Sequence, residues 1–185
     1  MNWEEMLAGW KLLLLIGAGF LPVFAWTPVW IRIGHKWGLL DLPGDRKIHH
    51  EPLPFTGGLA VSSGFFLVLL LLGGPAFPHL APILTGGLLV LALGYLDDRY
   101  DLSPWVKIAG QAGIALLVAG MGLRIHYLTN PFGEMITLGW AGYPLTVLWL
   151  VATVNMINLI DGLDGLAAGI CLLAAASLLA IGLSL

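Results

Sequence analysis

The chain has 185 residues, of which 58% are hydrophobic and 10% charged, and its mean hydropathy is +0.91. Ordinary globular domains carry about 25% charged residues, so this composition excludes a water-soluble fold and predicts a single all-α integral membrane domain over 1–185. The formal net charge of −3 offers no basic excess for nucleic acid, and where the charges lie matters more than their sum.

The amino terminus, Met1-Asn2-Trp3-Glu4-Glu5, lacks the basic region of a secretory signal peptide. Six apolar segments follow, at 6–33, 57–73, 80–96, 105–122, 143–160 and 165–185, each near the roughly 20 residues a membrane span requires. Pro22 and Pro28 allow a kink or tilt in the long first segment. Gly73-Gly74-Pro75 and Pro78 mark a tight turn between the second and third. Between the fourth and fifth, 125–128 and 135–138 flank Asn130-Pro131-Phe132-Gly133, the pattern of a small hairpin outside the bilayer. The single cysteine, Cys171, excludes an intrachain disulfide and a cysteine-cluster metal site.

If the spans alternate, loops 34–56, 97–104 and 161–164 share one side. That side carries Arg32, Lys36, Arg46, Lys47, Arg99 and Lys107, against only Lys11 and Arg124 on the other. The positive-inside rule places the three loops in the cytoplasm and the amino terminus outside. Every unusual polar cluster then faces the cytoplasm.

The first cluster is loop one. Arg46, Lys47, His49 and His50, followed by Gly57-Gly58 at the mouth of a span, suit a phosphate or diphosphate. Backbone amides at glycine also approach an anion closely. A basic loop that only fixes topology and touches anionic lipid heads reads the same way. The second cluster is Asp97, Asp98 and Asp101. On a continued helix Asp101 shares a face with each of the other two, and crowded carboxylates in partly dehydrated surroundings call for a divalent cation such as Mg²⁺. One of them can instead serve as general base, and a solvated turn capped by Ser103-Pro104 is the plain alternative. Lys107, one turn into span four, either snorkels to the interface or reaches the acidic cluster.

The third cluster is Asn155, Asn158, Asp161 and Asp164, in steps of three. Each step turns about −60° on a helix, so neighbours share a face and the ends do not. Gly162 and Gly165 end the helix and let the chain curl around a ligand. Interhelical hydrogen bonding is the competing use for the two asparagines. His35, His79 and His126 carry no partner pattern and read as interfacial.

These stretches together resemble the polyprenyl-phosphate N-acetylhexosamine-1-phosphate transferases. The matching text is Asp41-x-Pro43-x-x-Arg46-Lys47-x-His49-x-x-Pro52-x-Pro54-x-x-Gly57-Gly58, then Asp97-Asp98-x-x-Asp101-Leu102-Ser103-Pro104-x-x-Lys107, then Asn155-x-x-Asn158-x-x-Asp161-Gly162-x-Asp164-Gly165-Leu166. The resemblance implies transfer of a sugar 1-phosphate from a UDP-amino sugar to a polyprenyl phosphate, with release of UMP, at the cytoplasmic face of the plasma membrane. Mg²⁺ is the implied cofactor, with Mn²⁺ as a substitute. Asp97 and Asp98 would orient or deprotonate the lipid phosphate. Asn158 and Asp161 would contact the metal-diphosphate or the ribose, and Asp164 the nucleotide. Lys47 and His49 would hold phosphate, with Arg46, Gly57, Gly58, Lys107 and Asn155 completing the substrate site.

The family has about ten or eleven spans, with a later loop that supplies another acidic ligand and a histidine-bearing segment. The chain is therefore expected to be the amino-terminal half, inactive alone, with a complementing half or a second copy as partner. Two other readings compete. Asp97-Asp98-x-x-Asp101 also fits the acidic motif of a membrane prenyltransferase, and a half-length chain fits a non-catalytic assembly partner.

Overall fold

The computed structural model describes residues 3–41, 51–73, 79–130, 132–163 and 165–184. The order of elements is α1 (Trp3–Trp37), β1 (Leu40–Asp41), β2 (Leu53–Pro54), α2 (Gly57–Gly73), α3 (Leu80–Tyr100), α4 (Pro104–Gly120), β3 (Tyr127–Leu128), β4 (Ile136–Thr137), a 3₁₀ turn (Gly139–Ala141), α5 (Gly142–Ile160) and α6 (Leu166–Ser184). Each apolar segment of the sequence becomes one helix. Stretches within Ile16–Trp37, Leu80–Tyr100 and Gly139–Ile160 are long and apolar enough to cross a membrane. The apolar parts of α2, α4 and α6 are shorter. The 17 residues of α2 or α4 rise about 25 Å against a hydrocarbon core of about 30 Å. The turn expected at Gly74, Pro75 and Pro78 lies outside the described residues.

The chain divides into two compact units, Met1–Lys107 and Ile108–Leu185, with the division inside α4. In the first, α1 packs on α2 and α2 on α3. The α1–α2 contact is close because residue 64 is glycine: a Cβ there would stand 2.2 Å from Val23 Cγ2. α1 runs through Pro22 and Pro28 as one helix. Two-residue strands β1 and β2 pair antiparallel, Leu40 with Pro54 and Asp41 with Leu53. They were not anticipated, because two residues are too few to show alternation. Behind them Thr56, 1% exposed, donates its hydroxyl to the Trp30 carbonyl at 2.9 Å. The ladder and this bond clamp the end of loop one onto α1.

In the second unit, Gln111, Ala115, Val118 and Ala119 form the buried stripe of α4, at helical spacing. The hairpin forms as expected, with Tyr127 opposite Thr137 and Leu128 opposite Ile136. Asn130 Oδ1 accepts from Phe132 N–H at 3.0 Å, an Asx turn at the tip. Thr146 of α5, buried, accepts from Ile125 N–H at 2.9 Å and donates to the Gly142 carbonyl at 2.6 Å. That hydroxyl ties the hairpin's approach to α5. From residue 171 to 182 every residue of α6 is exposed.

Candidate active site

The acidic stretch lies inside α3, not in a loop. The apolar run continues helically through Asp97, Asp98 and Arg99 to Tyr100, and the turn begins only at Asp101. Asp101 caps the helix in the left-handed region, φ 51° and ψ 63°, and its N–H donates to the Asp97 carbonyl at 2.8 Å. Aspartate is among the few non-glycine residues that enter this region readily. The consequence corrects the sequence reading, in which Asp101 shares a helix face with Asp97 and Asp98: the chain leaves the helix before that face is extended.

After the turn Ser103 and Pro104 start α4 as their types suggest, with Ser103 Oγ accepting from Val106 N–H at 3.5 Å. One turn in, Lys107 reaches back and forms an ion pair with Asp97, so of its two expected roles the structure selects the acidic partner. Both side chains are mostly shielded, Lys107 at 23% and Asp97 at 19% exposed. Two carboxylates at a helix carboxyl end oppose the helix dipole, and Lys107 offsets that. Asp98 remains exposed. It lies in the field of Asp97, Lys107 and also Asp41 of β1. Asp41 was seen in the sequence as part of a motif but given no role. Its signal was its place at the head of loop one, and the ladder of β1 with β2 is what carries it toward Asp98.

Loop one leaves β2 through Phe55, whose ring lies 6.4 Å from that of Tyr95 on α3, two residues before Asp97. Gly57 and Gly58 then open α2, exposed, with open space where a side chain would be. Thr56, just before α2, donates its hydroxyl to the Trp30 carbonyl, and the first amides of a helix have no intrahelical partners and suit an anion. Arg46, Lys47 and His49 lie outside the described residues.

In the second unit α5 ends at Ile160, and Asp161 caps it with φ −76° and ψ 52°, its N–H on the Ile157 carbonyl at 3.1 Å. Gly162 N–H donates to the Ile160 carbonyl at 2.8 Å, and Gly165 takes φ 78° before α6. The helix thus ends at Asp161, one residue before the first of the two glycines, and the left-handed Gly165 serves the entry to α6 and not the exit from α5. Asn158 and Asp161 are exposed, and among the described residues neither side chain has a hydrogen-bond or ion-pair partner. Asn155 is different. Its Nδ2 donates to Gln111 Oε1 at 2.5 Å and to the Val151 carbonyl at 2.8 Å, the interhelical use that competed with substrate binding in the sequence. Gln111 was missed by sequence reasoning. Asp164 lies outside the described residues.

Among the described residues no three of His, Cys, Asp and Glu stand close enough together to hold a metal ion. The triplet Asp97, Asp98 and Asp101 is therefore not a ready-made cation cage.

The profile of glycosyl transferase family 4 matches residues 80–185. The chain is 41% identical over 165 residues to the probable undecaprenyl-phosphate N-acetylglucosaminyl 1-phosphate transferase of Bacillus subtilis, covering 89% of this chain and 46% of that one. It is 36% identical over 155 residues to the undecaprenyl-phosphate alpha-N-acetylglucosaminyl 1-phosphate transferase of Yersinia pestis, covering 82% and 42%. It is 31% identical over 175 residues to the decaprenyl-phosphate N-acetylglucosaminephosphotransferase of Mycolicibacterium smegmatis, covering 88% and 43%. The chain spans about half the length of these curated relatives. No solved structure matches. Membrane-length apolar helices and a profile covering α3 to α6 agree: this membrane-embedded chain belongs to glycosyl transferase family 4.

Proposed function

We propose that the protein transfers an N-acetylhexosamine 1-phosphate from a UDP-sugar to a polyprenyl phosphate and releases UMP. The names of its relatives point to N-acetylglucosamine and to an undecaprenyl or decaprenyl acceptor. The observation that carries the reading is the end of α3, where Lys107 holds Asp97 and Asp98 stands exposed beside it. A membrane-length helix that ends in two carboxylates and recruits a cation for one of them is built for polar chemistry at the bilayer boundary.

An oxygen of the lipid phosphate bonds to the sugar-bearing phosphorus, and the bond from that phosphorus to the bridging oxygen of UMP breaks, its electron pair leaving with UMP. Both reactants are anions, so positive charge must offset their repulsion before they meet. Asp98 takes the proton of the acceptor phosphate. Asp97, fixed by Lys107, orients that phosphate. Arg46, Lys47, His49 and the opening amides of Gly57 and Gly58 hold phosphate oxygens, and Asn155 and Asp164 serve the nucleotide sugar. Asn158 and Asp161 present amide and carboxylate oxygens without protein partners among the described residues, the hard donor type that Mg²⁺ or Mn²⁺ takes. When bound there, the ion supplies charge neutralisation on the diphosphate.

In this reading all six helices cross the plasma membrane, the amino terminus and the β3–β4 hairpin lie outside, and the polar helix ends face the cytoplasm, in keeping with the placement of Lys and Arg. The relatives are about twice as long as the stretch they share with this chain. The prenyltransferase reading loses support from Asp101, whose left-handed backbone takes it off the helix face of Asp97 and Asp98.

Exchange of labelled UMP into UDP-N-acetylglucosamine, in membranes carrying the complete protein, is the test. Exchange that requires polyprenyl phosphate and a divalent cation is expected. No exchange, or consumption of a prenyl diphosphate instead, would overturn the reading.

A further inference from the structure

We infer that Gln111 is a positioning residue that acts through Asn155 and makes it a pure hydrogen-bond acceptor toward the nucleotide sugar. The inference rests on the transferase reading above. Gln111 is 5% exposed, on the α4 stripe with Ala115, Val118 and Ala119, none of whose side chains can pair with an amide. A primary amide in such surroundings is costly to bury unless it is hydrogen-bonded. Among the described residues its side-chain partner is Asn155.

The chemistry of that pair is specific. An asparagine amide has two N–H donors and one carbonyl acceptor. Asn155 spends one N–H on Gln111 Oε1 and the other on the Val151 carbonyl four residues back in its own helix. Both donors are satisfied inside the protein. What remains is Oδ1, on a half-buried side chain one helical turn before Asn158. Without Gln111 the Val151 carbonyl still holds the amide, but one N–H is released and Asn155 offers a donor as well as an acceptor. With Gln111 only the oxygen is offered. The group that meets Asn155 must then bring a hydrogen: a hydroxyl of ribose or sugar, or the N–H of the base or the acetamido group. A bare phosphate oxygen is refused, since two acceptors repel.

The test uses the complete protein in membranes and three variants: Gln111→Met, which keeps the volume and loses the acceptor; Asn155→Leu; and Gln111→Met with Asn155→Leu. Outer partners that orient metal ligands typically cost about ten- to a hundredfold when removed, and the same order is expected for a partner that orients a substrate ligand. Gln111→Met is expected to lower kcat/KM for the UDP-sugar by that factor, with KM for polyprenyl phosphate unchanged. The double variant should be no worse than Asn155→Leu. Should Gln111→Met fail to accumulate, Gln111→Asn, one methylene short of Asn155, carries the same prediction. Wild-type rates in Gln111→Met, or additive losses in the double variant, would each overturn the inference while wild-type turnover stands. A wild-type protein without turnover overturns the transferase reading and this inference with it.

Discussion

At the end of α3 the last turn holds two carboxylates, and the answer to them is ionic: Lys107, supplied from the second turn of α4, pairs with Asp97. At the end of α5 the corresponding turns hold neutral amides, and the answer is a hydrogen bond: Gln111, buried on α4, accepts from Asn155. Charge is met by charge where the side chains keep some contact with the exterior, at 19% and 23% exposure. Amide is met by amide where the partner is 5% exposed. The difference follows from desolvation. An ion buried that deeply costs far more than a carboxamide, and pairing repays it only in part. The chain therefore keeps its carboxylates, Asp98 and Asp161, at the exposed ends of α3 and α5, and uses neutral groups for support from within.

The largest effect should come from removing the exposed carboxylate at the ionic end. Asp98→Asn keeps size and loses basicity, and a general base is worth about 10²–10⁴-fold. Turnover should fall by that factor in the UMP exchange assay with thermal stability unchanged. A variant within threefold of wild type would move the proton transfer elsewhere. Next comes the cation. Lys107→Met leaves Asp97 without its partner, and loss of orientation at a reacting group costs on the order of a hundredfold. Stability should drop by an amount between the about 0–1 kcal/mol of an exposed pair and the about 3–5 kcal/mol of a buried one, since both side chains are mostly shielded. Lys107→Arg should fall between the two, because the charge returns with a different reach and shape. If stability fell while rate did not, the pair would be structural and the contrast between the two helix ends would fail.

Much of this was legible beforehand, and what was not has identifiable causes. Apolar run length is a signal that each segment carries alone, and it located the six helices of the described residues, while the turn residues around Asn130 located the hairpin between β3 and β4. Helix-start chemistry was legible at Ser103-Pro104 for the same reason, whereas the end of α5 was assigned to Gly162 and Gly165 and falls at Asp161. Asp101 was misread because helical spacing says nothing about where a helix stops, and an aspartate in the left-handed region looks in sequence like any other. Asp41 was hidden by the brevity of β1 and β2. Gln111 was hidden more deeply. A single polar residue in an apolar run has no pattern, and its partner lies 44 positions away.

The smaller effects serve as controls, since they act at the opposite end of α5. Thr146→Val removes a buried hydroxyl that both donates and accepts. It leaves Ile125 N–H without that acceptor, which should cost about 1–3 kcal/mol, read as a lower unfolding midpoint. Rates in the folded fraction should hold, because neither polar helix end is touched. Tyr143→Leu is gentler still. The Arg124 guanidinium lies 4.6 Å from the Tyr143 ring centroid, and loss of that contact at an accessible site should cost about 0.5–1 kcal/mol. The ring is flanked by the same segment that Thr146 binds, so the two losses share a neighbourhood and should not be strictly additive. A Tyr143→Leu variant with normal stability but impaired turnover would mean that the hairpin end of α5 communicates with its polar end. The ionic and neutral arrangements would then have to be read as parts of a helix that moves, not as two fixed supports.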